Sequence, residues 1–198
     1  MQKQVVVIHG GRAFRTHEKY IEYLKNKKVS LEYFLYKKGW KDDLSSALGE
    51  KFEVLVPHMP NKQSAKYEEW KLWFEKLLPF LKDEVILVGH SMGGIFLAKY
   101  LSENEFLKKI GAIFLVAAPH NLENEIHEFR LKADLENVWK QCQNIHLFYS
   151  IDDPVVPAAE AEEYKKAWPG AKMHIFADRG HFNQEQFPEL VAEIRKSA

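Results

Sequence analysis

The sequence predicts an α/β fold: a mainly parallel sheet of about six strands with helices on both faces. Two observations carry this prediction. Short runs rich in Val, Ile and Leu recur at residues 5–8, 52–56, 85–88, 112–117, 145–149 and 173–176, the near-continuous apolar pattern of strands buried on both faces. Between and after them lie longer stretches whose apolar residues fall three and four apart, at 16–27, 65–81, 93–102, 122–141, 158–168 and 184–196. Strands alternating with helices over short connections imply right-handed crossovers, hence parallel neighbours. There is no repeat, low-complexity tract or Pro/Gly linker, so a single domain over residues 1–198 is expected.

Taken in order, the first run, VVVI at 5–8, leads directly into His9, Gly10, Gly11 and Arg12. Residues 37–50 are polar and carry glycines, and are read as a loose region. In 65–81, Trp70, Trp73, Phe74, Leu77 and Leu78 form one stripe expected to pack against the sheet rather than to make an aromatic binding box. Residues 120–140 are long and charged between two strands; a small lid and a plain surface helix are both open readings, and about 20 residues are too few for a large separate cap. Ligands of open α/β sheets sit beyond the carboxyl ends of the strands, so both looser regions are placed to border a pocket.

Composition narrows the function. Lys and Arg number 28 and Asp and Glu 28, so no overall positive field attracts nucleic acid or anionic lipid, and neither is expected as a partner. Cys142 is the only cysteine, which excludes a disulfide framework or multi-thiolate metal site within one chain. The segment before His9 holds four consecutive apolar residues, far short of a signal-peptide core. A cytoplasmic location is expected.

The sharpest motif is VILVGHSMGG at 85–94, running straight into the apolar stretch IFLAKYL. It is G-x-S-x-G between a strand and a helix. A turn that tight strains Ser91 and exposes its hydroxyl above the sheet, while Gly89 and Gly93 let strand and helix approach. The free N–H groups at the helix start lie where an oxyanion would form, which makes the Met92 N–H a donor candidate. The loop after the first strand should supply the second; Gly11 is the first choice, with Arg12 adjacent. A phosphate-binding loop is the competing reading of these glycines, but neither of its standard glycine spacings is completed.

A serine hydroxyl needs a base that titrates near neutrality, which points to histidine. Of nine histidines, His181 is placed best, in ADRGHF just after the last strand. His174 lies inside that strand. His9 and His90 adjoin the two turns and are read as supporting them, with His90 also a possible pocket-lining residue together with Arg12 and His58, the last of which is read first as a structural loop histidine. His17, His120, His127 and His146 have no motif context, and no metal site is expected. The acid should follow another strand, where YSIDDPVVP at 149–157 offers Asp152 and Asp153; Pro154 pushes Asp153 toward extended geometry, leaving Asp152 to set the turn. The chain order Ser, Asp, His differs from that of the other common serine enzymes.

These markers, HGG after a strand, VPHMPN before a Trp-containing helix, GHSMGG, VAAP, SIDDPVVP and RGHF, resemble the α/β-hydrolase superfamily, and within it the small, nearly lidless group typified by retinoblastoma-binding protein 9 and its bacterial relatives. The resemblance spans nearly the whole chain. It implies an α/β-hydrolase fold with a minimal lid, gives Asp153, immediately before Pro154, the role of catalytic aspartate, and matches His181 to the catalytic histidine. Arg12 in the oxyanion loop and the charged 120–140 stretch depart from the group. The expected activity is a carboxylesterase-like serine hydrolase acting on a small-molecule ester, thioester or amide, with no cofactor. The rivals are a non-catalytic interaction module on the same scaffold and a cofactor-free oxidising variant of it.

Overall fold

The computed structural model describes residues 2–122, 126–132 and 134–198. Six strands, β1 (Lys3–Ile8), β2 (Phe52–Leu55), β3 (Val85–His90), β4 (Ile110–Val116), β5 (Ile145–Ser150) and β6 (Lys172–Phe176), form one parallel sheet in the order β2-β1-β3-β4-β5-β6. The helices are α1 (His17–Asn26), α2 (Trp40–Leu48), α3 (Tyr67–Glu75), α4 (Met92–Glu103), α5 (Glu136–Gln141), α6 (Glu160–Ala167) and α7 (Pro188–Lys196). This is the α/β-hydrolase architecture.

Alternation along the strands divides the core into two layers. Val6, Ile8, Val85 and Leu87 face Trp70 and Phe74 of α3, Ile95 and Phe96 of α4, Val138 of α5 and Tyr164 of α6. Val5, Val7, Ile86 and Val88 face Trp40, Leu44 and Leu48 of α2 and Leu190 and Ile194 of α7. Burying each of these large side chains contributes about 1.5–3 kcal/mol. Helix α4 is covered on all sides, with every residue from Met92 to Leu101 buried. Even Lys99 lies inside, its ammonium 3.0 Å from Glu103 and donating to the Arg130 carbonyl.

Four expectations change. Residues 37–50 are not loose: the spacing of Trp40, Leu44 and Leu48 makes α2, whose start is held by the Asp42 carboxylate accepting the Gly39 N–H at 2.8 Å. Residues 122–141 do not form one helix; a short 3₁₀ turn at His127–Phe129 precedes α5, and residues 123–125 and 133 lie outside the described residues. The stripe at 65–81 splits, because Pro79 cannot extend the α ladder and Leu78–Phe80 tightens into a 3₁₀ turn. Trp70 and Phe74 face inward while Trp73 is 47% exposed. The last helix begins at Pro188, whose missing N–H costs nothing in a first turn.

The parallel sheet places all strand carboxyl ends along one edge. Loops after β1, β3, β5 and β6 therefore gather Gly11, Ser91, Asp153 and His181 from four distant stretches of chain. Among the described residues no helix is long and apolar enough to cross a membrane.

Candidate active site

Ser91 joins β3 to α4 with φ 54° and ψ −122°, a left-handed backbone that a residue with a Cβ adopts only under strain. Its own N–H is fixed by the Val116 carbonyl of the neighbouring strand at 2.8 Å. The turn closes only because its flanks are bare: a Cβ at Gly93 would stand 2.2 Å from the Ile8 carbonyl oxygen, and one at Gly89 2.5 Å from the Gly94 Cα.

His181 Nε2 lies 2.9 Å from Ser91 Oγ, and His181 Nδ1 lies 2.8 Å from Asp153 Oδ2. A carboxylate only accepts, so the Nδ1 proton donates to it and Nε2 presents a lone pair to the serine hydroxyl. The Asp153 side chain is fully shielded from solvent, and its other oxygen accepts the N–H groups of Val155 and Val156 at 2.8 and 3.0 Å. Asp152 points elsewhere: its Oδ1 accepts the Ser150 hydroxyl at 2.5 Å and the Gly180 N–H at 2.8 Å. The two adjacent carboxylates thus divide the work, one meeting the imidazole and one anchoring the loop that carries it.

Three further contacts hold that loop. Trp40 Nε1 of α2 donates to the Phe182 carbonyl at 2.8 Å, Ser150 Oγ accepts the Arg179 N–H at 2.9 Å, and His90 Nε2 donates to the His181 carbonyl at 2.9 Å. With its proton on Nε2, His90 offers Nδ1 to the Lys41 ammonium at 3.3 Å. Burial, reinforced by Lys41 and His181, pushes His90 well below the ordinary histidine range. Burial also lowers Lys41, to about 8, with Lys62 adding to the effect against Asp42. Sequence reading missed Trp40 and Lys41; the signal was the Trp40, Leu44, Leu48 spacing on a helix capped by Asp42.

On the other side of Ser91, His9 Nε2 accepts the Met59 N–H at 2.9 Å and its Nδ1 donates to the Gly10 carbonyl at 2.7 Å. Burial lowers this imidazole too, keeping it neutral as those partners require. The Arg12 N–H is taken by the Lys62 carbonyl at 2.8 Å, whereas among the described residues neither the Gly11 nor the Met92 N–H donates to a backbone acceptor. Gly11 and Met92 both line a cavity of about 240 Å³ beside Ser91, together with Arg12 and the side chains of Phe14, Leu122, Ile126 and Val156. Leu122 and Ile126 are what the described part of 120–140 contributes.

His90 and Arg12 line a second cavity that also contains Ser91 and His181. His58 does not line either cavity. The chain after β2 turns so that Met59 is buried and His58 is exposed. Away from the site, His146 Nδ1 lies 3.1 Å from His174 Nε2 and 3.7 Å from Glu193 Oε2, a grouping of possible metal ligands that the sequence reading did not anticipate. Asn144 Oδ1 sits 3.2 Å from His146 Nε2, so the array is also satisfied as a hydrogen-bonded chain.

Against known proteins, the serine hydrolase family profile matches residues 36–191. Serine hydrolase RBBP9 of Rattus norvegicus is 29% identical over 155 residues, covering 73% of this chain and 77% of that protein. The putative hydrolase YdeN of Bacillus subtilis (strain 168) is 24% identical over 190 residues, covering 94% and 89%. The crystal structure of the B. subtilis ydeN gene product superposes with a TM-score of 0.73 at 20% identity, covering 99% of this chain and 98% of that one, a likeness of fold.

Proposed function

This chain belongs to the serine hydrolase family, and from that premise we propose that Ser91, His181 and Asp153 are its nucleophile, general base and orienting acid in hydrolysis of a small carboxylic ester, thioester or amide. The observation that carries the reading is the unbroken line from Ser91 Oγ through His181 to Asp153, with spacings of 2.9 and 2.8 Å, at the mouth of a cavity that Gly11 and Met92 line.

In the first step Ser91 Oγ bonds to the acyl carbon while its proton passes to His181 Nε2. The Asp153 carboxylate stabilises the imidazolium and holds its tautomer. The Met92 and Gly11 N–H groups receive the oxyanion; each such donor is worth about 3–4 kcal/mol of transition-state stabilisation. The bond to the leaving group then breaks, and the His181 proton goes to the departing oxygen, sulfur or nitrogen. Water repeats the sequence: it adds to the acyl-enzyme as His181 takes its proton, and collapse returns Ser91 and releases the carboxylic acid. Every atom and proton is accounted for by substrate, water and these residues.

A cavity of about 240 Å³ suits a compact acyl group. Steady-state hydrolysis of p-nitrophenyl esters tests the proposal: acetate or butyrate should turn over at least about tenfold faster than palmitate, and Ser91→Ala or His181→Ala should lower kcat by about 10⁴-fold or more. Equal rates for wild type and Ser91→Ala would contradict it.

A further inference from the structure

Ser91 stands between two cavities that differ in the charges on their walls. The first, of about 240 Å³, has Met92 in its wall and lacks His181; the second, of about 350 Å³, has His181 in its wall and lacks Met92. Lys41 and Lys62 line only the second, Arg12 borders both, and among the described residues none of those lining the second cavity is acidic.

Among the described residues no ion pair includes Arg12, Lys41 or Lys62. The Lys41 ammonium meets the neutral His90 ring nitrogen and lies 4.5 Å over the Trp40 ring, while the Arg12 guanidinium lies 4.9 Å over Tyr23. Burial is the main reason that Lys41 titrates low; Asp42 opposes it, and repulsion from Lys62 adds to it. An anion placed between the two lysines relieves that repulsion.

The chemistry decides which part of the substrate meets these charges. A general acid must lie within hydrogen-bond reach of the atom it protonates, so the leaving group departs on the His181 side of the serine. The acyl group then occupies the first cavity, beside Met92. We infer that the leaving group of the natural substrate carries a carboxylate or phosphate, received by Lys62, Lys41 and Arg12. This rests on the acyl-transfer reading above and extends it to substrate class.

The test compares acetyl esters that share a phenolic leaving group and differ in its charge: 4-acetoxybenzoate, 4-acetoxyphenyl phosphate and the neutral methyl 4-acetoxybenzoate. Each kcat/KM is divided by the rate constant of uncatalysed hydrolysis. At low ionic strength at least one anionic ester should exceed the neutral one by about tenfold, the worth of roughly one partly screened charge pair, with the better anion identifying the group. The ratio should fall toward one as salt is added and should drop to one or below in Lys62→Glu, a change at an exposed side chain. A wild-type ratio of one or less, with the methyl ester still turned over, would overturn this inference and leave the catalytic reading standing. A ratio retained in both Lys62→Glu and Arg12→Gln would overturn the assignment to these cations. No turnover of any ester would overturn both readings.

Discussion

The turn that presents Ser91 and the loop that presents His181 solve the same positioning problem by different means. The serine turn is built by close backbone packing: Gly89 and Gly93 let a strand continue into a helix and bring that helix against the Ile8 carbonyl of β1, with one bond to the neighbouring strand at Val116. The histidine loop is built at long range: Trp40, Asp152 and His90, all distant in sequence, each hold one backbone group of residues 180–182. Damage to the first therefore strikes folding, because strand and helix collide. Damage to the second should strike the rate that the proposed triad sets, because the fold stands while the imidazole drifts.

The largest expected effect is at Gly93. Its Cβ would overlap the Ile8 carbonyl, so Gly93→Ala should destabilise by more than about 3 kcal/mol and lower Tm by roughly 10 °C or abolish soluble expression, as read by circular dichroism melts. A near-native Tm would show that the turn has slack. Asp153→Asn comes next: kcat should fall about 10⁴-fold with the melt nearly unchanged, since the wrong imidazole tautomer is then favoured. Asp152→Ala frees the loop without touching the imidazole, and a displacement of order 1 Å should cost about 10²-fold in kcat with KM little changed. Trp40→Phe removes one bond to the loop and leaves the Phe182 carbonyl unpaired. The unpaired carbonyl should cost about 1–3 kcal/mol in stability, together with roughly tenfold in kcat. If Asp152→Ala and Trp40→Phe lowered stability with kcat intact, the contrast between the two regions would fail.

The smallest and most gradual effect is shared. His9 beside the serine turn, His90 beneath the histidine loop and His146 in the sheet are all held neutral by burial. Their folded values lie below the unfolded value, so the unfolded chain takes up protons first as pH falls. Stability is fully present above about pH 6.5 and declines below it; for His146, pushed down to about 4, the decline runs from about pH 6.5 to about pH 4. Urea midpoints measured across that range should fall steadily, and His146→Gln should flatten part of the slope. A level profile would contradict these assignments.

The same contrast explains what was legible in the sequence. G-x-S-x-G is readable because the residues that meet the constraint are contiguous, even where the atom that imposes it, the Ile8 carbonyl against Gly93, is distant in sequence, and the six strands are readable because burial on both faces leaves a continuous apolar run. That His181 and Asp153 would meet beside Ser91 was legible from their places after strands, with the choice of Asp153 over Asp152 leaning partly on family resemblance. The supports of the histidine loop were not legible. Trp40 acts across 142 residues, and its helix lies in a stretch whose polar face masks an apolar spacing of four. His58 misled because being next to a strand end does not say which of two neighbours turns inward; Met59 does.

Everything proposed for the site depends on Ser91 being an activated nucleophile, which labelling with a fluorophosphonate followed by intact-mass and peptide analysis tests. Rapid addition of one probe is expected, mapped to Ser91, absent in Ser91→Ala and greatly slowed in His181→Ala. Folded wild-type protein that stays unlabelled, or is labelled at another residue, would contradict it and return the chain to the reading of a non-catalytic interaction module.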